Sequence, residues 1–553
     1  MSRKHSGCFA THERCGTRSV AALVISLVLG GCGGHGGGDT SAPTPTAAPA
    51  PTPAPTQNSG PSGWVAGSFL PYSTFARQCV TPRSGINPLS NQPYNDVQGT
   101  VLSQNNWLRS WSNDLYLWSD EIVDRDPANY TTLAFFDLLK TTARTASGSA
   151  KDKFHFTYAT TEWLALSQSG VSAGYGVEWA VVASLPPRQI VVAYTEAGPA
   201  VAANLQRGEV VQTIDGIDVV SVNTQAAVDA FVAGLYPDQA GETHVFTLRD
   251  PRTSSVRTVT LRSENTTSRP VQNVKAVATA AGNVGYIQFN DHLATAEQEL
   301  VAAIDTLRKA PITDLVLDVR YNGGGYLDIA SELAYMIAGT VPTAGQPFES
   351  LRFNDKHPSI NPVTGAPLTP VPFHTTTRGL SAPPGQPLPT LNLSRVFVLT
   401  GPNTCSASES IINSLRGVNV QVIQIGSTTC GKPYGFYPAD NCGTTYFTIQ
   451  FKTVNAAGFG DYTDGFAPMN SFGAGGTRVP GCAVADDFTH ALGDPAEARF
   501  AAALAYRYGE SCPAPTGFGP SSLTKPASEV SWGAVDGVIM KSPWLQNRSL
   551  SSA

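Results

Sequence analysis

The sequence predicts a multidomain α/β protein, and three observations carry that expectation. The chain has 553 residues, too long for one ordinary domain. From about Val271 to Cys512, apolar strand-like runs alternate with helical periodicity, as in a largely parallel sheet covered by helices. Before that, Gly174 to Arg262 is rich in short strand signals, and a tryptophan-rich helical stretch precedes it. The composition, 41% hydrophobic and 14% charged, is that of a globular protein. A net charge of −6 gives no electrostatic case for nucleic acid.

Arg3, Lys4, Arg14 and Arg18 form a basic region followed by the apolar run "VAALVISLVLGGC", too short to span a membrane. Its end, Leu29-Gly30-Gly31-Cys32, resembles a bacterial lipobox. That resemblance implies a lipoprotein signal over residues 1–32, with Cys32 left as the lipid-bearing first residue. The plainer alternative is a secretory signal whose cysteine is incidental. Gly33 follows rather than aspartate, which implies the outer membrane if the host has one. Residues 33–63 read as a linker: Thr40 to Ser62 is uncharged, repeats Pro with Ala and Thr, and cannot bury a core.

Residues 64–170 read as a helical N-terminal domain. Leu108, Trp111, Leu115 and Trp118 recur at helical spacing and are expected on one core face. Leu133, Phe136 and Leu139 suggest a second helix. Residues 171–262 carry the strand-like runs "QIVVAY", "VVQTIDG", "HVFTLRD" and "SVRTVTLR", with helix signals near Ala200 and over Gln225 to Leu235. With "GYGV" and "AGPAVAANLQRGEVVQTIDGIDV", this segment resembles a PDZ domain. The resemblance makes Gly174, Tyr175, Gly176 and Val177 the loop that captures a peptide carboxylate, with an edge strand for the extended peptide.

Residues 263–512 form the expected core. "VGYIQF", "TDLVLDV", "RVFVLT" and "VNVQVIQIG" read as strands. "TAEQELVAAIDTLRKA", "YLDIASELAYMIAG" and "SASESIINSLRG" read as helices. On the second helix, Leu327, Ala330, Leu333, Ala334 and Ile337 are expected on one face. The Pro-rich stretch between Val341 and Pro389 is a long irregular insertion of the sort that makes lids or rims. Residues 513–553 are a tail without an assigned role.

Ser406-Ala407-Ser408-Glu409 fits the capping box Ser-x-x-Glu, which closes a helix start. A serine between an apolar strand and a helix can also be a nucleophile, because first-turn N–H groups can hold an oxyanion. The loop is not Gly-x-Ser-x-Gly, so this is no ordinary α/β-hydrolase elbow. No histidine sits in a triad phrase. Lys432, one helix and one strand later, is the candidate base. A lysine serves as base only when neutral, hence desolvated, and "TCGKPYGF" supplies Pro433, Tyr434 and Phe436 as cover. "LDVRYNGGG" offers glycines whose backbone can approach a ligand, but Asp328 spoils the dinucleotide fingerprint.

Together "LDVRYNGGG", "CSASE" and "GSTTCGK", in this order, resemble the C-terminal processing peptidases, or tail-specific proteases. A helical region, a PDZ domain and a β-α core in this order match the same family. The resemblance implies Ser406, not Ser408, as nucleophile and Lys432 as general base. It implies Ala407 and Gly324 (next Gly325) as oxyanion donors. Many members carry a glutamine four residues after the lysine; here Phe436 stands there, and the orienting role shifts to Glu409 or to a residue the sequence does not identify, Glu409 fitting equally as the capping-box glutamate alone.

The expected function is a serine endopeptidase of the cell envelope that cleaves proteins near free C-termini and needs no cofactor or metal. It is expected to be exported and membrane-anchored through its lipid. The competing class is a non-catalytic envelope protein that holds peptide tails. Six cysteines remain beyond the signal and Cys32, and an even number in an exported chain suggests disulfides. Cys430 and Cys442 flank the Lys432 loop and are expected to pair.

Overall fold

The computed structural model describes residues 64–87, 91–473, 475–515, 538–539 and 548–549. The signal-like segment with Cys32, the Pro-rich linker and most of the 513–553 tail lie outside the described residues.

Helix α1, Val101–Leu115, starts on Thr100, whose hydroxyl accepts the Ser103 N–H while the Ser103 hydroxyl accepts the Thr100 N–H. Trp107, Leu108, Trp111 and Leu115 are buried on it, and the two indoles stack at 5.2 Å. Trp118, expected on the same face, lies past the helix. The chain turns extended at Tyr116, and the Leu117 N–H donates to Ile449 O at 2.8 Å, so tertiary pairing ends the helix. The second helix, α2, is short, Thr132–Asp137. It buries Phe135 and Phe136 but leaves Leu133 55% exposed, against expectation, and Leu139 is buried beyond its end. The helical region is also stitched to the core. Phe156–Ala159 pairs antiparallel with Thr444–Phe447, and Cys79 is disulfide-bonded to Cys442.

The β-rich segment forms one antiparallel sheet of β1 (Val177–Ala183), β2 (Gln189–Thr195), β3 (Val210–Ile214), β4 (Thr243–Arg249) and β5 (Val256–Arg262), in the order 5-4-3-2-1. Helix α3, Gln225–Leu235, presses Phe231 and Leu235 onto Trp179, Val192, Val211 and Phe246.

The core sheet runs β6 (Val271–Val277), β7 (Asn283–Phe289), β8 (Ile312–Asp318), β9 (Arg395–Thr400), β10 (Gln421–Gly426) and β11 (Gly481–Ala483), in that order. Only the β6–β7 pair is antiparallel. Alternation along each strand splits the core. Ile287, Phe289, Leu315, Leu317, Val396 and Val398 meet α4 (Ala296–Lys309), α5 (Leu327–Ala338) and α6 (Ala407–Gly417). Tyr286, Val316, Phe397 and Leu399 face Phe500 and Ala503 of α7 (Ala498–Arg507) on the other side.

Helix α5 departs from its expected single apolar stripe, because all twelve of its residues are buried. The Pro-rich insertion covers its polar face. Ser331 donates to Pro372 O, Asp328 pairs with His374 at 3.0 Å, and the Arg378 N–H donates to Glu332. Parallel strands β8, β9 and β10 all deliver their carboxyl ends to one edge, the place where sheets of this kind bind ligands.

Candidate active site

Three loops leave that edge: 319–326 after β8, 401–406 after β9 and 427–432 after β10. They bring together Gly324, Ser406, Ala407, Glu409 and Lys432, far apart in sequence. A Cβ on Gly324 would stand 2.9 Å from the Ser406 Cβ and 3.0 Å from the Ala407 nitrogen. Only glycine fits that approach, and its φ of +109° is also glycine's territory.

Ser406 is fully buried and holds φ 57°, ψ −114°, a left-handed conformation that costs a non-glycine residue on the order of 1–3 kcal/mol. The expected capping box is present, with the Ser406 N–H donating to Glu409 Oε2 at 2.9 Å. The Ser408 hydroxyl, by contrast, donates to Asn322 O at 3.0 Å.

Glu409 does more than cap. Its buried carboxylate also accepts the Gly431 N–H at 2.9 Å, the Lys432 N–H at 2.8 Å and the Thr429 hydroxyl at 2.5 Å. Burial pushes its pKa up, and these donors pull it back. One carboxylate therefore fixes the backbone of Ser406 and the backbone of Lys432 at once. The contacts lie at the backbone of Lys432.

The Lys432 side chain is fully buried, with its Nζ 4.6 Å from the Phe154 ring centroid and 4.7 Å from that of Phe436. The residue that stands in the glutamine's place thus forms a wall of the lysine's chamber. Phe154 comes from the N-terminal region, which sequence reasoning did not connect to the site. Lys153 beside it donates to Cys430 O at 3.0 Å.

The expected Cys430–Cys442 bond is not formed. Cys430 is bonded to Cys405, and Cys442 to Cys79. The Cys430 N–H donates to Thr404 O at 3.0 Å, which lays the two loops side by side. Cys442 sits in the hairpin of Ala439–Asn441 and Thr444–Phe447, beside the N-terminal segment, where the Arg77 N–H reaches Asn441. The third pair is Cys482–Cys512. The grouping of Cys405, Glu409 and Cys430 within ligand distance is the disulfide and its neighbouring carboxylate, so it offers no thiolates to a metal.

Two further residues were missed. His292 is buried, its Nδ1 is 2.9 Å from Asn322 Oδ1, and its backbone brackets the glycine loop through Gly324 O and the Tyr326 N–H. The Gly324 N–H donates to the same Asn322 Oδ1 at 3.0 Å. Arg320 lies in a buried cluster with Asp318, Asp486 and Glu497 at 2.7–2.9 Å. Arg320 had no signal beyond its place in "LDVRYNGGG" and His292 had none, because their partners are remote in the chain. In the β-rich sheet, the Tyr175 ring is core, and its hydroxyl donates to Gly234 O at 2.9 Å. Gly176 has φ +70° and passes close to Ala197 O, and the backbone of Val177 pairs with Thr195 as β1 begins.

Residues 283–436, which hold all three loops, match Peptidase family S41. The match covers this segment alone, under half of the chain. It is 27% identical over 275 residues to the carboxyl-terminal-processing protease of Picosynechococcus sp., covering 49% of this chain and 56% of that one. It is 28% identical over 181 residues to the chloroplastic C-terminal processing peptidase of Tetradesmus obliquus, covering 31% and 38%. The chain thus spans about half or less of the length of these curated relatives. A crystal structure from Bacteroides fragilis NCTC 9343, described as an S41 protease, superposes with TM-score 0.55 at 22% identity, over 73% of this chain and 97% of that one. This chain and that protein share a fold.

Proposed function

We propose that this chain is a serine endopeptidase of the S41 type that cleaves proteins near their C-termini through Ser406 and Lys432. The supporting observation is the shared carboxylate. Glu409 holds the backbone of a strained, buried serine and that of a lysine enclosed by aromatic rings. Neutral Lys432 takes the Ser406 proton, and the alkoxide attacks the scissile carbonyl. The Ala407 N–H stabilises the oxyanion, and the Gly324 N–H joins it on leaving Asn322 Oδ1; one such donor is typically worth about 3 kcal/mol. Lys432 then protonates the departing amine, and water hydrolyses the acyl-enzyme.

The β-rich sheet is read as PDZ-like, with β1 as the edge that takes up an extended substrate tail and Gly174 to Val177 as the loop at its start. Export and a lipid anchor at Cys32 complete the reading. Three disulfides support an oxidising compartment. Among the described residues, no helix is long and apolar enough to cross a membrane.

The test is cleavage of a peptide with an apolar free C-terminus. Ser406→Ala and Lys432→Ala should each lose activity by at least about a thousandfold with the fold intact. Lys432→Arg should be as inactive, because a guanidinium stays charged. Ser408→Ala should keep much of the rate. An inactive Ser408→Ala beside an active Ser406→Ala would overturn the assignment. A wild-type protein that binds the peptide without cleaving it would leave only a tail-binding protein.

A further inference from the structure

Of the two short strands described in the C-terminal tail, one pairs with the edge that the proposed function gives to substrate and the other with the backbone next to the proposed oxyanion glycine. Strand β12, Val538–Ile539, adds antiparallel to the open edge of β1, with Val538 opposite Val181 and Ile539 opposite Ala180. Strand β13, Arg548–Ser549, adds parallel to Gly325–Tyr326, directly after the glycine at Ser406. The first contact is built rather than incidental. Ile539 is 1% exposed, in a cluster with Ala180, Val182 and Tyr321. Its N–H donates to Asn403 Oδ1 at 2.8 Å, and its carbonyl accepts Asn403 Nδ2 at 2.7 Å. Asn403 stands three residues before Ser406, on the same loop.

A strand edge carries one row of N–H and C=O groups, and one partner fills it. We infer that the chain's own C-terminal tail occupies the substrate-binding edge of β1 and the backbone beside the glycine loop, so that substrate binds only after displacing it. The inference rests on the reading of β1 as the substrate edge. The bound tail lowers apparent affinity by the fraction of molecules in which it is released. The tail is thus an intramolecular competitor, and an event that frees it raises activity without altering the catalytic residues.

Two full-length variants test this. Val538→Pro removes a ladder donor and should release β12. Val181→Cys with Val538→Cys places a thiol pair across the observed register and should lock it. The probe is a fluorescent peptide with an apolar free C-terminus, bound in the Ser406→Ala background and cleaved in the active one. Release should raise both affinity and kcat/KM by about fivefold or more. The lock should lower both by a similar factor, and mild reductant should restore them, with wild type under the same reductant as control. A lock that binds and cleaves like wild type overturns the inference. So does a folded release variant whose affinity is unchanged or weaker. If Val538→Pro fails to fold, the lock decides alone. Tighter binding on release with no cleavage by any variant would leave the inference standing and remove the peptidase reading.

Discussion

At the residue scale, the site turns on what surrounds one lysine. Lys432 is buried between the rings of Phe154 and Phe436, which keep bulk solvent from it. Removing a wall should admit water and favour the charged lysine, which cannot act as base. Phe154→Ala should therefore lower kcat about tenfold or more with a smaller change in KM, measured by steady-state cleavage at fixed pH. An unchanged kcat would show that the wall is only packing. A second buried side chain sets a pH response of stability. His155 donates from Nε2 to Phe136 O at 2.8 Å and accepts the Thr448 hydroxyl at Nδ1, which fixes the neutral ring. Burial lowers its pKa to about 4. The unfolded chain protonates this histidine near 6.5 and the folded chain only near 4. Its contribution is therefore present above pH 6.5 and is lost as pH falls toward 4. Between pH 7 and pH 5 the loss is about 2 kcal/mol. Urea midpoints at the two pH values should show it, and His155→Gln should flatten that difference.

At the scale of elements, the helix cap and the proposed catalytic pair share one carboxylate. Ser406 and Glu409 belong to the first turn of α6, yet Glu409 also reaches across to the loop after β10. The Cys405–Cys430 bond ties the same two loops covalently and closes a separation of 25 residues. A loop of that length corresponds to about 3.5 kcal/mol of constraint. Cys405→Ser with Cys430→Ser should cost stability of that order. It should also lower kcat more than it raises KM, because the proposed nucleophile and base lose their common tether. Calorimetry and cleavage kinetics on the double variant check both parts. Loss of stability with full kcat would mean that Glu409 alone aligns the loops.

For the whole molecule, a buried ionic cluster joins three regions. Arg320 follows the end of β8, Asp486 and Glu497 lie beyond β11, and Arg207 enters from the β-rich sheet to pair with Asp486 at 2.8 Å. Burial opposes ionisation of Asp486, but Arg207 and Arg320 hold its carboxyl far below the usual range. Such clusters are costly to break from one side, because the remaining charges stay buried and unpaired. Arg320→Met should destabilise the protein by about 3–5 kcal/mol, read as a fall in the urea midpoint. A loss below about 1 kcal/mol would show that the carboxyls escape by taking up protons. The cluster sits at the root of the glycine loop, so the sheet that is proposed to hold the tail and the loop beside Ser406 share an anchor.

The strands β7 to β10 and the helices α4 to α6 were legible in the sequence because local periodicity specifies them, though α5 is buried all round rather than on the one face its pattern predicts. Ser406, Ala407, Glu409, Gly324 and Lys432 were named from the resemblance of their three motifs, and the structure brings them together because each motif follows a parallel strand ending at the same edge. The sequence could not say that Cys430 pairs with Cys405, since spacing constrains loop closure but not which loop lies alongside. It could not show Phe154, His292 or Arg320 at the site, because their roles depend on partners brought near only by the folded sheet. Trp118 and Leu133 left their expected faces for the same reason, as tertiary hydrogen bonds and a short helix overrode a periodic signal. The clearest case is the tail. Nothing local in Val538-Ile539 marks it as a strand, and only the open edge of β1, assembled from residues far upstream, makes it one.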